Sequence, residues 1–126
     1  MNPGNRALLT VAVVVILMIA SATPSHAAVP DDARVLVAHW RTTSIVFGSP
    51  RDEHLILNAD GTAQNWVVTA TDRSGVKGGS WKVEGRNLIL LLAGSNEVSL
   101  PFTIYEGQLV FPNIQNRRRF WEKLAR

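Results

Sequence analysis

Two histidines are the residues of this chain best suited to acid–base or metal chemistry. His39 and His54 lie on segments with alternating polarity, and Asp52 and Glu53 stand beside the second of them. An imidazole changes charge near neutral pH and binds transition metals, so these groups would form a metal or acid–base site if the fold brought them together. Their spacing matches no catalytic or metal-binding motif. The sequence therefore predicts no enzyme, metal or cofactor, and His39, His54 and Asp52 are the alternative catalytic centre.

The four tryptophans are the next group of interest, because the chain has no cysteine and cannot form disulfides. A small domain without disulfides depends on buried apolar surface, so tryptophans are expected to fill the core and close its ends. The alternative is a pocket in which indole rings stack on a sugar, a lipid or an aromatic compound. Trp66 and Trp81, together with the loop 72–78, are the predicted ligand-binding residues at the mouth of such a pocket.

The C-terminal segment carries the densest positive charge. Its cations are Arg117, Arg118, Arg119, Lys123 and Arg126, with Glu122 among them. One interpretation is a basic patch, formed by Arg117, Arg119, Lys123 and Arg126, that docks on anionic polymers or lipid head groups. The alternative is an edge strand whose charges prevent pairing with another sheet.

Residues 1–27 have the pattern of a secretory signal. Arg6 precedes the uncharged apolar run 7–22, and the small residues 25–27 suit a signal peptidase. The sequence therefore predicts export to the periplasm or the medium, where nucleic acid is not an expected partner. An uncleaved signal would act instead as a membrane anchor.

The remaining elements must be short strands, because turn signals interrupt the chain at close intervals. Asp60-Gly61, Glu84-Gly85 and Glu106-Gly107 are typical of tight turns, and the run 98–104 alternates apolar with polar residues. The predicted strands are 34–47, 53–58, 62–71, 80–84, 87–93, 97–105, 108–112 and 117–122, with loops at 48–52 and 72–78. After a polar leader, 28–33, the single domain 34–126 is expected to be all-β. We expect an antiparallel up-and-down meander of seven to eight strands that forms a small barrel or a flattened sandwich.

Four short motifs carry a family resemblance. They are Ala38-His39-Trp40, Asn58-Ala59-Asp60-Gly61-Thr62, Gly79-Ser80-Trp81 and Arg117-Arg118-Arg119-Phe120-Trp121. With them the chain resembles the small lipocalin-like (calycin) β-barrels. In that family a Gly-x-Trp on the first strand packs at the closed end, and an arginine of the last strand covers the indole. The resemblance implies that Trp40 closes the barrel and that one of Arg117 to Arg119, with Arg118 as the preferred candidate, covers it in a cation–π contact. Ala38 replaces the family's glycine, and the shorter chain implies a small interior.

Three functions agree with these features. The first is an exported, non-enzymatic binding or interaction module of the bacterial envelope, whose partner is a small apolar or aromatic molecule or an envelope protein. The second is a protein inhibitor of an extracellular hydrolase. The third is a structural envelope protein that docks on anionic polymers through its basic C-terminus.

Overall fold

The computed structural model describes residues 31–125. The predicted signal, 1–27, and Arg126 lie outside the described residues. A 3-10 helix, Asp31–Leu36, comes first. Nine strands follow: β1 Ala38–Val46, β2 Ser49–Leu57, β3 Thr62–Thr69, β4 Lys77–Glu84, β5 Asn87–Leu92, β6 Val98–Pro101, β7 Thr103–Tyr105, β8 Gln108–Val110 and β9 Phe120–Leu124. Within 31–125 there is no helix long and apolar enough to cross a membrane.

The strands form one antiparallel sheet in the order β6-β5-β4-β3-β2-β1-β9-β8-β7. Every neighbour in this order is also a neighbour in the chain, except that β9 returns to pair with β1 at His39 to Arg41. The prediction of an all-β antiparallel meander is confirmed. In the part of the chain that the structure describes, no ladder joins the two edge strands, β6 and β7, so the sheet is not closed into a hydrogen-bonded barrel.

The break between β6 and β7 explains why there are nine strands instead of seven or eight. The predicted strand 97–105 is interrupted at Phe102, whose N–H donates to the carbonyl of Arg86 over 3.0 Å. Pro101 has no N–H and cannot continue a ladder there. The Pro101 carbonyl instead accepts the N–H of Asn113 over 2.8 Å, which ties β6 to the segment after β8.

One apolar core fills the concave side of the curled sheet. Successive side chains of a strand point to opposite faces, so alternate residues of β1 and β2, such as Trp40 and Leu55, enter this core. They meet Leu88 of β5 and Leu109 of β8 in the same buried cluster. Residues from distant strands therefore share one interior, which requires a strongly curled sheet.

The N-terminal boundary differs from the predicted one. Residues 31–36 are helical, and β1 begins at Ala38 instead of residue 34. Leu36 is fully buried, and its carbonyl accepts the indole N–H of Trp40 over 2.9 Å. The helix therefore covers the core at the end of the sheet where β1 begins. A strand that extended β1 toward the N-terminus could not cover the core in this way.

The predicted loop 48–52 is strand from Ser49 onward, and only Gly48 belongs to a turn. β1 and β2 form a hairpin whose two turn residues, Phe47 and Gly48, have positive φ of 50° and 80°. Two consecutive positive φ values are typical of the type I′ turn that joins twisted strands. Pro50 is tolerated in β2 because no third strand needs its N–H at this position.

Gly79 of β4 is the position where the fold most clearly requires a glycine. A Cβ there would lie 1.9 Å from the carbonyl oxygen of Leu91 in β5, whereas a Cβ at Gly78 would meet nothing within 4 Å. We therefore expect Gly79→Ala to lower the free energy of unfolding by about 2–4 kcal/mol, and Gly78→Ala to change it by less than about 0.5 kcal/mol. Urea denaturation of the two variants measures the difference. Equal effects would contradict the described β4–β5 packing.

Candidate functional site

The antiparallel order divides the connections between two ends of the sheet. The turn 47–48 and the segments 70–76, 93–97 and 111–119 lie at one end, here named the upper end. The lower end carries the 3-10 helix and the turns 58–61, 85–86 and 106–107. This division decides which predicted site residues can meet.

A cavity of about 150 Å³ occupies the upper part of the interior. Its apolar wall consists of Leu55, Leu90, Leu92, Leu100, Phe111, Pro112 and Trp121, and its polar residues are Glu53, Asn65 and Arg119. An apolar chamber with a few convergent polar groups is the usual form of a small-molecule site. We take this cavity as the candidate functional site.

The polar side of the cavity is organised around the carboxylate of Glu53. Arg119 Nη2 donates to Glu53 Oε1 over 2.8 Å, and Asn65 Nδ2 donates to Glu53 Oε2 over 3.1 Å. The same amide is 2.9 Å from the carbonyl of His54. The Arg119 guanidinium also lies over the Trp121 ring, 5.2 Å from its centroid. Arg51 Nη1 also lies 4.0 Å from Glu53 Oε1, outside the cavity lining. The contacts to Arg119 and Asn65 fix the Glu53 carboxylate, and the opposite charges of Glu53 and Arg119, the two charged residues that line the cavity, offset each other.

Sequence reasoning missed this group of residues. The sequence pattern names Glu53 only as a companion of the histidines, and Arg119 as a member of the basic patch or as one of three arginines that could cover Trp40. The available signal was the two-residue period of a strand. Glu53 precedes Leu55 by two residues and Arg119 precedes Trp121 by two, so each shares a face with a buried residue. That signal places both side chains toward the interior, although it does not show that they meet.

The predicted ligand-binding pair, Trp66 and Trp81, does not form one site. Trp81 is only 4% exposed and belongs to the core, where its indole N–H donates to the carbonyl of Asn58, at a lower-end turn, over 2.9 Å. Trp66 lies on the outer face, stacked on His54. The two strands present opposite faces at these positions, so the tryptophan of the cavity is Trp121.

The predicted closure by Trp40 and Arg118 also has a different form. Trp40 is buried near the lower end, next to Leu36. Arg118 is exposed, and its Nε donates to Asn113 Oδ1 over 3.0 Å. Among the three consecutive arginines 117–119, the one that covers an indole is Arg119, and the indole is that of Trp121 instead of Trp40. Side chains alternate between the two faces as the chain enters β9, so Arg118 points away from it.

The predicted basic patch is dispersed. Arg117 stands exposed at the upper end, whereas Arg119 turns into the cavity. Lys123 is four residues farther along, which is about 13 Å toward the lower end. Arg126 lies outside the described residues. The cations that the structure describes therefore do not form one continuous patch.

The two histidines do meet, on the outer face. His39 Nε2 lies 2.9 Å from His54 Nδ1, and His54 stacks on Trp66 with ring centroids 4.8 Å apart and an interplanar angle of 3°. The guanidinium of Arg73 covers Trp66 at 5.5 Å. Asp52 accepts the hydroxyl of Thr43 over 2.7 Å.

His39, His54 and Trp66 thus form a stack of rings, here named the histidine ladder, and Arg73 on Trp66 attaches the 70–76 segment to it. Arg73 and Val68 also form a β-bridge, and the N–H of Ser74 donates to the carbonyl of Val67. Among residues 31–125 no group of three or more His, Asp or Glu is placed to hold a metal ion. In the described structure the two histidines pack against each other and against Trp66.

No protein-family model, curated protein or solved structure matches this chain. The resemblance to lipocalin-like barrels accordingly stays a prediction based on its four motifs.

The Glu53–Arg119 pair offers a direct test of the polar side of the cavity. Arg119→Gln removes the nearer of the two charged partners of Glu53, whose side chain is only 20% exposed, and leaves Arg51 at 4.0 Å. Because a partly buried carboxylate that loses its hydrogen-bonded partner is costly, we expect the free energy of unfolding to fall by about 1–3 kcal/mol. Arg118→Gln, at an exposed neighbour, should cost less than about 0.5 kcal/mol. Equal losses in urea denaturation would show that Arg119 does not make the described contact.

The histidine ladder predicts a pH dependence of stability. Burial, the largest cause, lowers the pKa of His54 from its ordinary 6.5, with Arg41 and Arg73 acting in the same direction and Asp52 opposing them. The unfolded chain therefore binds this proton more readily, so the free energy of unfolding is highest above about pH 6.5 and falls as the pH decreases below it. His54→Phe keeps a ring on Trp66 but cannot titrate.

When the pH is lowered from about 7 to about 5.5, we expect the free energy of unfolding to fall less in His54→Phe than in the parent chain. This range lies above the ordinary pKa of carboxylates, so their titration contributes little to the difference. Urea denaturation at both pH values measures the two differences. An unchanged pH dependence in the variant would show that His54 does not carry the effect.

Proposed function

We propose that this protein is an exported, non-enzymatic binding module that holds a small, neutral and largely apolar molecule in its interior. The observation that carries the proposal is the cavity of about 150 Å³ beside Trp121. The N-terminal pattern of a secretory signal supports export. Binding in the cavity requires no catalytic group.

The size of the cavity limits the ligand. An apolar protein cavity of about 150 Å³ is large enough for one benzene ring. Leu55, Leu90 and Leu92 supply an apolar wall, and Phe111 and Trp121 add aromatic surfaces. These features favour a single aromatic or aliphatic ring over a long lipid chain.

The charged residues of the cavity, Glu53 and Arg119, restrict the charge of the ligand. Arg119 and Glu53 neutralise each other through a 2.8 Å contact, so a ligand with a full charge would have to break that pair. A carboxylate has more lone pairs than the two contacts to Arg119 and Asn65 use. Glu53 can therefore accept one further hydrogen bond from a ligand hydroxyl, which makes a neutral phenol-like compound the best match.

Calorimetric titration with phenol and with benzoate tests this proposal. We expect phenol to bind in the millimolar range or more tightly, and benzoate to bind at least about tenfold more weakly because its charge competes with Glu53. Leu92→Trp should abolish phenol binding by filling the cavity that Leu92 lines. Leu91→Trp is the matched control, because Leu91 is the next residue of β5 and is exposed on the outer face.

The proposal fails if phenol does not bind the parent chain, or if Leu92→Trp and Leu91→Trp bind it equally well. Circular dichroism of both variants establishes that each has kept the fold. The hypotheses of a hydrolase inhibitor and of docking on anionic polymers through the C-terminus stay predictions from the sequence.

A further inference from the structure

The β1–β2 hairpin extends beyond the rest of the sheet. The two strands stay paired from Ala38–Leu57 to Val46–Ser49, whereas β9 pairs with β1 only as far as Arg41. On the other side, β3 follows β2 only to Arg51. Residues 45–50, here named the hairpin tip, therefore pair only with each other and project by about 10 Å.

The hairpin tip is apolar and open to solvent. Ile45 is 68% exposed, Val46 42% and Phe47 fully exposed. Phe47 also has φ of 50°, a left-handed conformation in which glycine or asparagine would be less strained. Folding alone gives no reason for a large aromatic side chain at this position, and such outliers are common at functional sites.

The arrangement of the three side chains indicates what they contact. Ile45 and Val46 are consecutive in β1, so they point to opposite faces of the hairpin, and Phe47 occupies the turn between the strands. The tip is thus apolar all round. Hydrocarbon can surround such a tip, whereas a protein groove would cover one face and leave the other in water.

The charges at the upper end fit an anionic surface. The exposed cations there are Arg73, Lys77, Arg117 and Arg118, against the exposed carboxylates Asp72 and Glu97. At the lower end, among side chains that the structure describes, exposed cations and carboxylates are equal in number: Arg34, Lys82, Arg86 and Lys123 against Asp60, Glu84, Glu106 and Glu122. The excess of positive charge is therefore at the same end of the sheet as the apolar tip.

We propose that the hairpin tip inserts into the surface of an anionic phospholipid bilayer, while the upper-end cations contact the head groups. A projection of about 10 Å matches the 5–10 Å depth to which amphipathic elements enter the boundary between head groups and acyl chains. Apolar insertion and electrostatic attraction act together, since either alone gives weak binding. The inference is independent of the ligand in the cavity.

A fluorescent label at the tip tests this proposal. The chain has no cysteine, so Ser49→Cys in the full-length protein gives one attachment site, beside Phe47, for an environment-sensitive nitrobenzoxadiazole dye. We expect blue-shifted, brighter emission with phosphatidylglycerol vesicles and no change with phosphatidylcholine vesicles. The same dye on Arg86→Cys, at the lower end, should stay in water. This control separates tip insertion from attachment through the N-terminal apolar run.

Second substitutions in the labelled protein separate the apolar from the charged contribution. Phe47→Asn suits the positive φ and removes the ring, so the lipid concentration for half-maximal emission change should rise about tenfold or more. Tyr105→Asn, at an exposed aromatic residue of the lower end, should leave it unchanged. Arg117→Gln should raise the lipid concentration for half-maximal emission change about fivefold at low salt. Lys123→Gln, at the lower end, should leave that concentration unchanged.

Three results would overturn the proposal. The first is a tip label whose emission keeps the wavelength and intensity it has in water when phosphatidylglycerol vesicles are added. This result overturns the proposal even if a protein partner is found to bind the tip. The second is an equal change with phosphatidylcholine vesicles. The third is an unchanged response in the Phe47→Asn variant.

Discussion

The break between β6 and β7 at Phe102 is the constraint on which the rest of the structure depends. Pro101 and Thr103 belong to strands at opposite edges of the nine-strand order, yet one residue separates them. A flat sheet of nine strands would place those edges about 38 Å apart. The sheet must therefore curl until its edges meet. Two backbone hydrogen bonds fix the chain at this break: the N–H of Phe102 donates to the carbonyl of Arg86, and the N–H of Asn113 donates to the carbonyl of Pro101.

The curl creates both the core and the cavity. Side chains that would lie far apart on a flat sheet, such as those of Leu90 in β5 and Trp121 in β9, line the same chamber. The contact between Arg119 and Glu53 crosses β1, which lies between β9 and β2 in the sheet. The cavity that Leu90 and Trp121 share is therefore a product of the curl.

Local patterns predicted the strands well where turns are unambiguous. The predicted strands 62–71 and 87–93 lie within two residues of β3 and β5, because Gly61 and Gly94 have the positive φ that their turns require. The hairpin turn was missed because its first residue is Phe47, a type that the left-handed region disfavours. The candidate site was missed because its residues are 66 positions apart in the Glu53–Arg119 pair. Such contacts depend on strand order, which period-2 alternation does not encode.

The curled interior is the central claim, and the nuclear Overhauser effect between the methyl groups of Leu92 and the indole protons of Trp121 tests it most directly. These residues lie on β5 and β9, which are about 24 Å apart in a flat sheet of this strand order. In the curled sheet both residues line one cavity. We predict a cross-peak between them in spectra of the methyl-labelled protein. Its absence, with both resonances assigned and the β1–β9 pairing observed, would contradict the curled interior and the ligand site that depends on it.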